Sequence, residues 1–162
     1  MRKIKFIVFH CSATREGQSV TAAEIDRWHR QRGFAKIGYQ RFVRLNGMIE
    51  TGRSDEEIGA GVAGWNPNSI HICYAGGLAI DGVTPKDTRT PQQKTALRQL
   101  ALDYHRLYPD AKICGHRDMS PDADHDGVVE PQEWLKACPS FEVDDWLAEI
   151  GIPDAALKGP AK

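Results

Sequence analysis

The seven residues Ile4 to His10 read Ile-Lys-Phe-Ile-Val-Phe-His, and no other stretch restricts the fold as much. The run is almost continuously apolar and rich in β-branched and aromatic types, so it predicts a strand covered on both faces. Such a strand belongs in a sheet with helices above and below, and the rest of the chain supplies them. Thr21-Ala22-Ala23-Glu24 is a capping box ahead of IDRWHRQRG. It predicts a helix with Ile25, Trp28 and His29 on one face and a stop at Gly33.

The stretches YQRFVRL and MIETGR flank Asn46-Gly47, the pair favoured in type I′ turns, and predict an antiparallel hairpin. Residues 53–68 are glycine-rich without a period and read as loop. SIHICYAGG, residues 69–77, predicts another strand, and DGVTPKDTR a loop. Thr90-Pro91-Gln92-Gln93 opens the clearest helix, in which Leu97, Leu100, Ala101, Tyr104 and Leu107 recur at three- and four-residue steps. AKICGH predicts a short strand ending at His116, and Ser140 is expected to cap a last helix, FEVDDWLAEI. This order predicts a single α/β domain with a central mixed β-sheet flanked by helices. The domain is expected to span residues 1–153, with 154–162 as a disordered tail of Ala, Gly, Pro and Lys.

Composition narrows the partners. With 162 residues, 41% of them hydrophobic, the chain can bury one real core. Its 21 basic and 22 acidic residues give no whole-chain reason to expect nucleic acid or an anionic membrane. No apolar run approaches the ~20 residues of a membrane-spanning helix. The apolar stretch before His10 is too short for a signal-peptide core, which predicts folding in the cytoplasm. The four cysteines show no CxxC spacing, and Cys11, Cys73 and Cys114 read as buried thiols.

The chemistry is concentrated between Gly115 and Phe141. His10 and His116 each close a predicted strand, and ligand sites of open α/β sheets gather beyond strand ends. Adding Cys138 makes two imidazoles and one thiolate, a set that leaves the fourth position of zinc to water. The chain has six histidines, and each taken alone is equally a packing or solvent-exposed residue. His71 and His29 read as packing residues or supports behind a site, and His105 as surface or core. Tyr39 and Lys136, read alone, are a strand core residue and a solvated charge. Asn68 and Ser69 stand at a loop–strand junction where a substrate peptide could run.

Residues 122–133 form a second pattern. Carboxylates stand at positions 1, 3, 5, 9 and 12 of a twelve-residue loop, with Gly127 at 6 and Val129 at 8, as in an EF-hand calcium loop. Asp122, Asp124, Asp126, the Val128 carbonyl and Glu133 would be the ligands. The competing reading is a solvated acidic loop, since Pro121 rather than a helix precedes it.

The blocks FIVFHCSAT, IDRWHRQRGF, GYQRFVRLNGMIETGR, GWNPNSIHICYAGG, GHRDMSP and KACPSF occur in order between Ile4 and Trp146. Together they resemble the phage-type zinc N-acetylmuramoyl-L-alanine amidases of the amidase and peptidoglycan-recognition superfamily. The resemblance implies one catalytic zinc on His10, His116 and Cys138, with Tyr39 and Lys136 as catalytic helpers. It implies hydrolysis of the amide between N-acetylmuramic acid and L-alanine in bacterial peptidoglycan. The expected actor is a monomeric phage or prophage endolysin that reaches the wall through a holin-like pore or on lysis. The 122–133 insert departs from the simpler family pattern and would hold a structural calcium. The alternative is a non-catalytic peptidoglycan-recognition module, and a more remote one a calcium-sensing interaction protein.

Overall fold

The computed structural model describes residues 2–152, so the tail expected at 154–162 lies outside the described residues. In chain order the strands are β1 (Phe6–Cys11), β2 (Thr14–Arg15), β3 (Arg41–Val43), β4 (Ile49–Thr51), β5 (Ser69–Tyr74), β6 (Gly77–Leu78) and β7 (Lys112–Gly115). The helices are α1 (Ala22–Gln31), α2 (Pro91–Leu107) and α3 (Val143–Glu149). Five strands form one mixed sheet in the order β4-β3-β5-β1-β7, and β2 and β6 form a separate pair. The central strands β3, β5, β1 and β7 are parallel, and β4 closes one edge antiparallel.

The apolar run at the N-terminus lies at the centre of this sheet, and every residue of β1 is buried. The strand runs through Cys11 rather than ending at His10, because its ladder with β5 continues to the pair Cys11–Tyr74. Alternation along β1 defines two layers. Ile7, Phe9 and Cys11 pack with Ile70, Ile72, Tyr74 and Ile113 beneath α2 and α3, through Leu97, Leu100, Trp146 and Leu147. On the other face, Ile25 of α1 meets Phe42 and Cys73, while Phe6 and Val8 meet Val62, Cys114 and Met119. His10 and His71 occupy alternate positions on this second face.

Both predicted capping boxes form. Thr21 and Glu24 exchange side-chain-to-backbone hydrogen bonds at the start of α1, and Thr90 and Gln93 do so at α2. Each satisfies two backbone N–H groups that a helix start leaves open, and losing such a cap costs about 1 kcal/mol. Gln93 also donates its Nε2 to the Ala75 carbonyl at 2.8 Å, which ties the helix start to the strand end beside it.

Two local expectations are corrected. The hairpin turn is not type I′: Gly47 has φ +81°, but Asn46 is absent from the positive-φ residues, and type I′ needs both. Gly47 N–H donates to Arg44 O at 2.9 Å, closing a turn over Leu45 and Asn46 with a left-handed glycine behind it. Ser140 does not cap α3. Its φ is +68°, whereas an N-cap lies in the extended region, and the helix begins after Glu142 without a side-chain cap. Among the described residues, no helix is long and apolar enough to cross a membrane.

Candidate active site

Parallel pairing of β1 with β7 puts Phe9 opposite Gly115, so the next residues, His10 still within β1 and His116 just past the end of β7, come side by side. Their Nδ1 atoms lie 3.1 Å apart, although 106 positions separate them in the chain. Cys138 arrives on the loop leading to α3. Arg117 N–H donates to the Cys138 carbonyl at 2.8 Å, and Tyr74 Oη donates to Pro139 O at 2.7 Å. The Cys138 Sγ accepts the Cys11 N–H at 3.3 Å and stands 3.8 Å from His10 Nδ1. All three donor atoms lie within 4.8 Å of one another.

This set fits zinc. Nitrogens ~2.0 Å and sulfur ~2.3 Å from a tetrahedral ion are separated from one another by roughly 3.3–3.7 Å, close to the spacings found. The two imidazoles are in the charge state that fits, while the Cys11 side chain first and then burial push the Cys138 thiol up, so an ion binding there would have to displace its proton. Burial first, then the neighbouring His71 and His116, holds His10 well below the ordinary histidine range. Burial and then the Lys136 charge lower His116 to about 4. Both rings are therefore neutral at pH 7, the form that can bind a metal.

A cleft of about 230 Å³ opens over these atoms, lined among others by Trp28, Arg32, Tyr39, Lys136, His116 and Cys138. Tyr39 is held in it by α1. His29 Nδ1 accepts the Gly38 N–H at 2.9 Å, and the His29 and His10 rings flank Tyr39 at centroid distances of 5.3 and 5.1 Å. Burial pushes the Tyr39 phenol up, so it stays protonated. Lys136 is exposed at the rim, and its positive charge acts on both His116 and His10.

Asn68 and Ser69 are not brought to this cleft. Ser69 pairs with Phe6 at the opposite end of β1, four residues before His10 and so about 13 Å away. Asn68 Nδ2 donates to Lys3 O and Ser69 Oγ to Trp65 O, both at 2.8 Å, which fastens the far end of the sheet.

The acidic loop forms a second cluster. Asp122, Asp124 and Asp126 each offer a carboxylate oxygen within 4.8 Å of the others. Gly127 takes φ +91° and donates its N–H to Asp122 Oδ2 at 2.9 Å. Glu133 reaches back across the loop to accept the Ala123 N–H at 2.6 Å. A 3-10 turn, Arg117–Met119, precedes the loop and another, Pro131–Glu133, makes up its last three positions, where an EF-hand has a helix on either side. The Val128 side chain is exposed.

The sequence left His71 as a packing or supporting residue without saying what it supports. Its Nδ1 lies 3.0 Å from His10 Nε2. The usable signal was alternation, since β1 and β5 both turn a histidine to the same face.

The family model described as N-acetylmuramoyl-L-alanine amidase matches residues 1–133, stopping short of Lys136 and Cys138. The chain is 35% identical over 138 residues to the endolysin of Enterobacteria phage K11, covering 85% of this chain and 82% of that one. It is 33% identical over 140 residues to the endolysin of Escherichia phage T7, covering 86% and 83%. Among solved structures, the N-acetylmuramoyl-L-alanine amidase LysC from Clostridium intestinale URNW superposes with a TM-score of 0.72 at 25% identity, covering 94% of this chain and 88% of that one.

Proposed function

The chain belongs to the N-acetylmuramoyl-L-alanine amidase family, and on that premise we propose that it cleaves bacterial peptidoglycan with one zinc ion held by His10, His116 and Cys138. The bond cut is the amide between N-acetylmuramic acid and L-alanine, and the biological setting is that of a phage endolysin. The observation that carries this reading is the convergence of His10 Nδ1, His116 Nδ1 and Cys138 Sγ beside a cleft lined by His116, Cys138, Tyr39 and Lys136.

Bound there, zinc supplies Lewis acidity and a water whose pKa falls toward neutrality. The protein's own groups do the rest. Lys136 brings a fixed positive charge to the rim, where negative charge grows on the amide oxygen as the carbonyl is attacked. The Tyr39 phenol hydrogen-bonds the attacking water or passes a proton. The Cys11 N–H, 3.3 Å from Cys138 Sγ, stabilises that sulfur as a thiolate. A recognition module needs no such set, and the presence of Cys138 together with Lys136 and Tyr39 favours the enzyme.

Purified peptidoglycan digested with the protein should release peptides with free L-alanine amino termini and leave glycan strands intact. A zinc chelator should stop the release. Mass spectrometry of the products is the check, and binding to the wall without cleavage by the zinc-loaded protein would transfer the case to recognition.

The loop 122–133 is proposed as a structural calcium site, with Asp122, Asp124, Asp126, the Val128 carbonyl and Glu133 as ligands. The reading is supported by the three clustered carboxylates and by Asp122 Oδ1, which is shielded and has no hydrogen-bond partner. The ion would fix the segment that carries Lys136 and Cys138 to the cleft. Calorimetry on the zinc-loaded protein should record uptake of one calcium per chain, and a flat isotherm ends this reading.

A further inference from the structure

Behind the proposed ligands stands a histidine that does not itself line the cleft. His71 lies in the middle of β5 with its side chain fully buried, and its Nδ1 is 3.0 Å from His10 Nε2. The other ring nitrogen of His10, Nδ1, is the one that meets His116 and Cys138. A neutral imidazole that offers a lone pair at Nδ1 must carry its proton at Nε2, and that proton needs an acceptor.

We propose that His71 is a positioning residue for the metal: it accepts the His10 Nε2–H and so holds His10 in the tautomer and orientation that aim Nδ1 at the ion. The inference rests on the zinc reading above. Ligating histidines ordinarily give their second N–H to a carboxylate, a backbone carbonyl or water, and here a second imidazole takes that place.

The surroundings of His71 hold its ring still. Gln40, itself fully buried, grips the His71 backbone from both sides: Gln40 Oε1 accepts the His71 N–H at 2.8 Å, and Gln40 N–H donates to His71 O at 2.9 Å. The imidazole is wedged beneath two glycines. A Cβ at Gly59 would come within 2.5 Å of His71 Cδ2, and one at Gly61 within 2.5 Å of His71 Nδ1. Those two positions therefore leave the space the ring fills, and little room for it to swing.

A purely structural role explains this residue poorly. His71 Nε2 is buried with no hydrogen-bond partner. An orphaned polar atom costs stability, and an apolar side chain at the same place would avoid that cost. What the imidazole adds is an acceptor directed at His10.

The test compares His71→Leu with His71→Asn in the full chain. Zinc affinity is measured by competition with a chromogenic chelator, and thermal unfolding is followed on the zinc-free protein. Leu removes the acceptor, whereas the Asn Oδ1 can stand where Nδ1 stood. His71→Leu should bind zinc about 10- to 100-fold more weakly, as loss of such a partner usually does. Its zinc-free unfolding temperature should hold or rise, and His71→Asn should regain most of the affinity. Wild-type affinity in His71→Leu overturns the proposal. So does an equal loss in both variants accompanied by a fall in zinc-free stability, which marks a packing role. If the wild-type chain itself takes up no zinc, the metal reading fails first and this one falls with it.

Discussion

Cys138→Ala is expected to lose its zinc and to hydrolyse peptidoglycan about 10³-fold more slowly, while remaining folded. A metal acting as Lewis acid contributes several kcal/mol to stabilising the transition state, and each 1.36 kcal/mol is tenfold in rate. The fold should survive because the substitution removes one partly buried sulfur and one hydrogen bond, that from the Cys11 N–H. Such a bond is worth about 1 kcal/mol. For a chain of this length that lowers the unfolding temperature by roughly 2–4 °C. Lys136→Met sharpens the result. It should keep zinc at one per chain and still lose about 10²- to 10³-fold in kcat, the usual effect of removing one group that stabilises an oxyanion. Metal content and kcat measured on both variants separate the two roles. A Cys138→Ala protein with full activity would remove that residue from the mechanism.

The second large effect is on stability. Phe9→Ala should destabilise the protein by about 3–5 kcal/mol, the range for emptying a buried aromatic site. Phe9 is fully buried in the central strand and meets Trp146 of α3 edge-on, with ring centroids 5.2 Å apart. Trp146 in turn packs edge-on against Phe141 at 5.6 Å, and the Arg89 guanidinium lies 3.3 Å from the Phe141 ring centre. The cavity would therefore open between the sheet and the helix that follows the Cys138 loop. Rigid neighbours on both sides allow little collapse, which places the cost high in the range. Urea unfolding monitored by circular dichroism gives the number, and a loss below about 1 kcal/mol would mean that α3 is not a firm part of the core.

Some features were settled within a few residues of sequence and could be read there. The boxes Thr21-Ala22-Ala23-Glu24 and Thr90-Pro91-Gln92-Gln93 close on themselves, so the starts of α1 and α2 needed no tertiary information. The apolar run at 4–10 announced a strand buried on both faces, because covering helices leave no polar side for such a strand to show, and the run at 69–77 announced a second strand. His10, His116 and Cys138 could be picked out as a candidate set from strand ends and donor chemistry, but only the resemblance to a family singled them out from the other histidines, since the 106 positions between His10 and His116 carry no local signal.

Local signals failed where a turn or cap depended on how the chain was carried by its surroundings. Asn46-Gly47 matched a type I′ pair, yet only Gly47 takes a positive φ. Ser140 has the chemistry of a cap, yet the loop that delivers Cys138 holds it at φ +68° and passes the helix start to Glu142. Asn68 and Ser69 looked like a site edge and stand at the end of β5 away from the His10 cleft.

The site itself was decided by strand order. Pairing β1 between β5 and β7, all parallel, puts His10 and His116 abreast and turns His71 to the face that His10 shares. The sequence determined which residue types were available, which segments were strands and helices, and where two helices begin. Only the tertiary structure determined that His71 Nδ1 would meet His10 Nε2, because register between strands some sixty residues apart is a property of the whole core and of no single stretch of chain.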